Sequence, residues 1–351
     1  MHCSFSRIIP LALLAALASC SHSSVKPADI TVTPLETGVD FSCRAVSAVS
    51  DQVIWASGTG NTVLRSTDGG ASWQCTTPAD SLSLDFRCLY AWDADNALVF
   101  SIASPALGLK TTDGGKTWKQ VYYNSRKDIF LNSVHFSDAQ NGVAVGDPME
   151  GRYAVIRTQD GGETWSEASS PEGKGGMFAA SNGCVQLLPS GKTVMVTGGA
   201  GSYVFIQDDA DSEWTCSETP LATGDENHCD GCYGVLMLDD QHGWVAGGNY
   251  AKVDRRGNMA YTEDGGKTWS LCEEGLHGFA SSVQAFPGQT TLLVASGSDG
   301  LSWSEDGGKT WTDITDKLPE GVKGYHALSA ARQGENIYAA GAGGHVARIS
   351  K

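Results

Sequence analysis

Asp225-Glu-Asn-His-Cys-Asp-Gly-Cys232 sets His228 beside a Cys229-x-x-Cys232 pair. Thiolates and an imidazole at that spacing form half a zinc site, but no second Cys or His pair lies at suitable spacing, so no metal is assigned. A dithiol redox role needs the pair to open a helix after a strand, and no helical periodicity follows it. For covalent or acid–base chemistry, His326 is available as a general base and Tyr233 as a nucleophile. Neither has an identifiable carboxylate partner, so no catalytic residue is assigned. No glycine-rich strand-to-helix turn exists to cradle a nucleotide phosphate, and no cofactor is expected. Arginines offer the remaining chemistry, because a guanidinium fork can clamp a carboxylate or phosphate in a bidentate grip.

The elements that would position these groups are set by an octapeptide that recurs along the chain. It reads Ser66-Thr-Asp-Gly-Gly-Ala-Ser-Trp73, Thr111-Thr-Asp-Gly-Gly-Lys-Thr-Trp118 and Thr158-Gln-Asp-Gly-Gly-Glu-Thr-Trp165, then Thr262-Glu-Asp-Gly-Gly-Lys-Thr-Trp269 and Ser304-Glu-Asp-Gly-Gly-Lys-Thr-Trp311. A decayed copy, Gln207-Asp-Asp-Ala-Asp-Ser-Glu-Trp214, fills the gap between the third and fourth intact ones. The tryptophans are 45, 47, 49, 55 and 42 residues apart, a period expected of four-stranded propeller blades. Gly-Gly suits the positive φ of a tight turn, and the Asp and Ser/Thr side chains can accept its backbone N–H groups. The six box aspartates (Asp68, Asp113, Asp160, Asp209, Asp264 and Asp306) are read as turn formers rather than calcium ligands.

Upstream of the third octapeptide lie three apolar runs: Asn132-Ser-Val-His-Phe136, Gly142-Val-Ala-Val-Gly146 and Tyr153-Ala-Val-Ile-Arg157. Similar triplets begin near Cys43, Cys88, Cys184, Tyr233, Ser281 and His326, making seven units, the last without a fourth strand. Ile30-Thr-Val-Thr-Pro-Leu35 supplies the missing strand, so the expectation is an all-β, seven-bladed propeller closed by its N-terminal strand joining the last blade. Aligning the first strands puts Arg44, Arg87, Asn132, Gly183, Tyr233, Ser281 and His326 near the axis, facing a common channel. Two loops should open on that face, away from the octapeptides: Asp147-Pro-Met-Glu-Gly-Arg-Tyr153, with Arg152 and Tyr153, and Asn249-Tyr-Ala-Lys-Val-Asp-Arg-Arg-Gly-Asn258. The second begins with Asn249 and Tyr250 and concentrates Lys252, Arg255 and Arg256; its bland alternative is a solvated loop with ordinary ion pairs.

The octapeptide resembles the Asp-box of BNR-repeat proteins, a group that includes sialidases and sortilin-type receptors. Gly146-Asp-Pro148 with Gly151-Arg-Tyr153, Phe178-Ala-Ala-Ser181, Gly247-Gly-Asn-Tyr250 and Gly341-Ala-Gly-Gly344 bring the chain closer to the bacterial proteins called photosystem II stability/assembly factor-like. That resemblance implies a propeller fold and export, and no particular activity. The Arg-Ile-Pro motif expected of a sialidase does not occur.

Composition narrows the partners. With 24 Lys+Arg against 40 Asp+Glu the 351-residue chain carries a net charge of −16, which disfavours nucleic acid. Ile8 to Ala18 is an apolar run too short to span a bilayer, preceded by Arg7 and followed by Leu17-Ala18-Ser19-Cys20, which resembles a lipobox. Residues 1–19 are therefore expected to be a lipoprotein signal peptide, 20–28 a lipidated Cys20 with its tether, and 29–351 the propeller. In an oxidising compartment some of Cys43, Cys75, Cys88, Cys184, Cys216, Cys229, Cys232 and Cys272 are expected to pair, with a Cys43–Cys88 bridge between blades as one option. The resulting expectation is a membrane-anchored lipoprotein of the bacterial cell envelope, periplasmic or outer-membrane. Its propeller would bind a protein partner or an acidic glycan on the face opposite the octapeptides. A glycan-active hydrolase or lyase using His326 and Tyr233 is the alternative.

Overall fold

The octapeptides close hairpins through side-chain chemistry repeated from copy to copy. A computed structural model describes residues 26, 29–79, 83–224, 227–252, 254–272 and 275–351. The signal peptide, Cys20 and all but Lys26 of the tether lie outside the described residues. In the first box the Ser66 hydroxyl accepts the Gly70 N–H (2.8 Å) and donates to Asp68 Oδ1 (2.9 Å). Asp68 also accepts the Ser72 N–H (2.9 Å) and the Ser72 hydroxyl (2.6 Å). These bonds stabilise the ionised carboxylate, and they hold Asp68, Asp113, Asp160 and Asp264 down to about 2. The second glycine of each box has positive φ and abuts the preceding blade. A Cβ on Gly308 would lie 2.3 Å from Trp244 Nε1, so both geometry and space exclude a larger residue.

The decayed copy folds differently because it lacks the glycine pair. Gln207 replaces the hydroxyl residue, donating to Ser212 O (2.8 Å) and accepting from Arg157 (2.8 Å). Trp214 Nε1 then donates to Ser169 O, whereas Trp118, Trp165, Trp269 and Trp311 donate to the second glycine of their own boxes.

Each box links the third and fourth strands of a four-stranded antiparallel blade. In blade 1 the strands are Cys43–Ala48, Ile54–Gly58, Val63–Ser66 and Gln74–Thr76, hydrogen-bonded in that order. Seven such sheets form the ring, and their innermost strands in blades 2 to 7 are Phe86–Ala91, Leu131–Phe136, Val185–Leu187, Cys232–Met237, Ser282–Ala285 and Ala327–Ala330. Blade 7 takes its outer strand from Thr31–Leu35, which pairs antiparallel with Val346–Ser350 from Thr31↔Ser350 to Leu35↔Val346. This closure by the N-terminal strand follows the sequence expectation. Helical structure among the described residues is confined to short 3₁₀ turns, among them Thr315–Lys317 and Ala342–Gly344.

The core lies between blades. Trp55, Val63 and Ala45 of blade 1 interdigitate with Phe86, Leu89, Val99 and Leu107 of blade 2, and burying each large side chain contributes about 1.5–3 kcal/mol. Polar side chains then stitch neighbouring inner strands together. Ser47 Oγ accepts the Ala91 N–H, His135 Nδ1 that of Leu187, Gln186 Oε1 that of Met237, and Ser329 Oγ that of Ala48.

Antiparallel pairing fixes the two ends of the ring. The start of each inner strand faces the end of the second strand, as in Cys43↔Gly58, and shares its end of the ring with the loops between second and third strands. The boxes sit at the other end, beside the loops between first and second strands, as Ile54↔Ser66 and Ala48↔Ile54 require.

The cysteines depart from the sequence expectation. Cys43, Cys75, Cys88, Cys184, Cys216, Cys232 and Cys272 all stand as thiols, so the Cys43–Cys88 bridge does not form. Cys43 points its thiol at Ala45 O and Ser57 O within its own blade, and Cys232 Sγ sits 3.0 Å from Ser202 Oγ. Cys75, Cys216 and Cys272 are spread over blades 1, 4 and 5 on or beside outer strands.

Candidate functional site

The connection from blade 3 to blade 4 crosses the channel instead of skirting it. Asp147 starts the crossing by accepting the Met177 N–H at 2.7 Å, backed by Asn132, whose amide donates to the same oxygen at 3.2 Å. At the far side Ser181 Oγ donates to Ser281 O in blade 6 (2.7 Å). Asn182 Nδ2 donates to Leu89 O in blade 2 (2.9 Å), and its Oδ1 accepts the Val134 N–H in blade 3 (2.9 Å). Asn182 takes φ +58°, a left-handed turn that lets the segment swing into blade 4. Residues 177–183 are thus a plug, with one cavity above it and another below.

The cavity on the face opposite the boxes has a volume of about 550 Å³. One wall is cationic. Arg87 is bound on two sides, to Asp85 in an ion pair (2.8 Å) and to the plug through Ala179 O (3.2 Å). Arg44 donates from Nε to Ser42 Oγ (2.9 Å), and no carboxylate among the described residues lies within ion-pair distance of it. Burial first, then the neighbouring Arg87 charge, lower the Arg44 pKa, yet a guanidinium in this range stays protonated at neutral pH. His326 completes the wall; burial and then the two arginines push it down to about 4, so it is neutral near pH 7.

The opposite wall is aromatic. Phe178 of the plug stacks flat on Tyr233 at 3.8 Å between centroids, Phe279 meets Tyr233 edge-on at 4.6 Å, and Tyr250 covers both from the rim with 56% of its surface exposed. Tyr233 is itself buried and donates its hydroxyl to Cys229 O (2.8 Å). Burial pushes that phenol up, the opposite of what a nucleophile requires. No hydrogen bond among the described residues holds Tyr233 or the His326 ring against a carboxylate.

Of the residues singled out from sequence, Arg44, Arg87, Tyr233, Tyr250, Ser281 and His326 share this cavity. The others are placed elsewhere. Asn132 is fully buried behind Asp147, and Gly183 belongs to the plug because the inner strand of blade 4 starts only at Val185. Tyr153 is buried and clamps residues 174 and 175 ahead of the plug through its hydroxyl. Arg152 points to the outer flank of blade 3, where its guanidinium donates to Ser170 O. Asn249 is 9% exposed and shapes its own loop by accepting the Ala251 N–H (2.8 Å). In that loop Arg255 pairs with Asp313 (3.2 Å) and Arg256 with Asp254 (3.8 Å), in line with the bland alternative. Sequence reasoning passed over Phe279 and Asp85, and it named Phe178 and Asp147 without giving either a place in the site. The long connection between Trp165 and Val185, with its Gly175-Gly176 pair, was the available signal.

The BNR/Asp-box repeat family matches residues 260–271, the box of blade 5. A comparison with curated protein sequences returns no match. Among solved structures the fold is similar to "YCF48 bound to D1 peptide" (TM-score 0.65, 19% identity, covering 93% of this chain and 98% of that one). It is also similar to YCF48 from Cyanidioschyzon merolae (TM-score 0.64, 17% identity, 91% and 99% covered). The WD40 propeller domain of Doa1 aligns at TM-score 0.62 and 13% identity over 91% of this chain and 97% of that one. At these identities the likeness is one of fold.

Proposed function

Taking a seven-bladed BNR/Asp-box propeller similar in fold to YCF48 as the premise, we propose that the chain is a binding or assembly platform of the bacterial cell envelope, exported and held to a membrane by a lipid on Cys20. Its partner is a protein that presents an acidic, partly apolar segment to the face opposite the Asp-boxes. The observation that carries this reading is the Arg44 guanidinium, without a carboxylate ion pair among the described residues, in a dead-end cavity facing an aromatic wall. A carboxylate entering there gains a charge-assisted bidentate bond, and apolar groups beside it gain stacking area on Phe178, Tyr233, Phe279 and Tyr250. The solved complex of YCF48 with a D1 peptide lends support to a peptide ligand on a propeller of this shape. An acidic glycan is the competing occupant, since the same arginine would receive its carboxylates.

The experiment is co-purification of the tagged protein from cross-linked native envelope, with bound species identified by mass spectrometry. Arg44→Glu is the informative variant, because Arg87 also braces the plug. A stoichiometric protein partner in the wild type, lost in Arg44→Glu at unchanged melting temperature, is expected. Retention of the partner by the variant refutes the site, and recovery of glycan fragments in place of protein refutes the partner class. The anchor is tested separately: Cys20→Ser should move the protein from the membrane to the soluble envelope fraction, and retention in the membrane would refute lipidation.

A further inference from the structure

The channel has a second mouth, on the Asp-box face, that the proposed platform role does not use. It opens into a cavity of about 460 Å³ whose floor is the underside of the plug, Ser181 to Gly183. Among the described residues lining it, Arg332 is the only permanently charged side chain. Its position is built rather than incidental. The loop after the inner strand of blade 7 is strapped to blade 1 by Arg332 N–H to Ala48 O (3.2 Å) and Gln333 N–H to Val49 O (3.0 Å). From there the side chain reaches across the mouth to blade 2, donates to Ala91 O, and lies over the Tyr90 ring at 4.8 Å.

Two facts leave this cation without an ion-pair partner among the described residues. No carboxylate forms an ion pair with Arg332 among the described residues, although the loops around the mouth are acidic. The rim aspartates are already occupied as turn acceptors. Asp93 takes the N–H groups of Asp95 and Asn96, Asp138 those of Gln140 and Asn141, and Asp51 that of Glu335. The side chain keeps one side open to water, but the surrounding protein strips enough hydration to lower its pKa. A recessed cleft lined by one sign of charge focuses its field on whatever enters.

His135 supplies a second polar group. Its Nδ1 accepts the Leu187 N–H (3.2 Å), so in the neutral ring the proton sits on Nε2, making that atom a donor. Burial and then the Arg332 charge push His135 down to about 4, so this tautomer persists at neutral pH. The Gln284 amide lines the same cavity. A guanidinium and neutral donors around a dead-end space form a receptor for oxygen acceptors bearing negative charge.

We propose that this mouth is a binding site for a small oxyanion, a carboxylate or phosphate group carried by a small molecule, held by Arg332 with His135 as a second donor. The site is independent of the opposite cavity, from which the plug separates it.

The test is a titration of the purified mature protein with sodium phosphate and, separately, sodium acetate at constant ionic strength, followed through the His135 imidazole resonances. A saturable shift with at least one anion is expected. The anion that saturates tells phosphate recognition from carboxylate recognition. Arg332→Gln should weaken that binding at least tenfold, while Arg332→Lys, which keeps the charge and loses the fork, should weaken it less. A shift that stays linear with both anions overturns the proposal, as does saturation unaltered in Arg332→Gln. Should the Gln variant fail to fold, the wild-type titration and the Lys variant still decide the matter.

Discussion

Asn182→Ala removes the two 2.9 Å hydrogen bonds by which the plug holds blades 2 and 3, leaving Leu89 O and Val134 N without those partners. A made bond of this kind contributes about 1 kcal/mol net, and an orphaned buried group costs about 1–3 kcal/mol. Asn182 is half-buried, so water recovers part of that loss and the two bonds together come to about 2–4 kcal/mol. Alanine at φ +58° adds about 1 kcal/mol of left-handed strain. The expected loss is therefore about 3–5 kcal/mol, a large share of the roughly 5–15 kcal/mol typical of a folded domain. The assay is equilibrium urea unfolding followed by tryptophan fluorescence. Asn182→Gly separates the contributions, because it loses the same bonds without the strain. If Asn182→Ala falls within about 0.5 kcal/mol of wild type, below the net value of even one such bond, the plug is not held as described and the cavity floor has been misread.

Acid should unfold the protein through its boxes. Asp68, Asp113, Asp160 and Asp264 have folded pKa values of about 2, below the ordinary 3.8, so their stabilising contribution is complete above about pH 4 and is lost as pH falls towards 2. A melting temperature flat between pH 4 and 2 would contradict this. Gly308→Ala places a Cβ 2.3 Å from Trp244 Nε1 at φ +75° and should destabilise by about 2–4 kcal/mol in the same urea assay. A neutral result would mean the box packs less tightly than described. With a thiol reagent at pH 8, Cys75 and Cys216 should react in the folded state, while Cys43, Cys88, Cys184 and Cys232 should react only on unfolding. Fewer titratable thiols in the denatured protein than in a fully reduced sample would instead reveal disulfides.

The blade count was readable because the turn chemistry is local: Ser/Thr, Asp and Gly-Gly need only each other to close a hairpin, so the copies stay recognisable. Closure was readable by elimination, since the last unit lacked a strand and Thr31–Leu35 lacked a partner. The convergence of Arg44, Arg87, Tyr233 and His326 followed from strand register, a short-range property. The plug was not readable, because nothing in Phe178-Ala-Ala-Ser181 says that it will bond to blades 2 and 6, each about a hundred residues away in sequence. Its supports were misplaced for the same reason. Asn132 and Tyr153 have the polar tips of ligand-binding residues, and the structure uses them inwardly, Asn132 to brace the Asp147 carboxylate and Tyr153 to anchor the backbone of residue 174. The thiols went the same way: equivalent positions in neighbouring blades look close in an alignment, yet Cys43 and Cys184 turn their thiols towards backbone carbonyls and Cys232 towards the Ser202 hydroxyl.

The central claim is that partners dock over the cavity opposite the Asp-boxes, and site-specific photo-cross-linking tests it most directly. A benzophenone side chain at Tyr250, exposed at the cavity rim, is compared with one at Lys116, exposed in the box of blade 2. Adducts to one protein species at position 250, absent at position 116 and lost when Arg44→Glu is added, are the predicted result. Adducts at position 116 alone, or at position 250 regardless of Arg44, would contradict it.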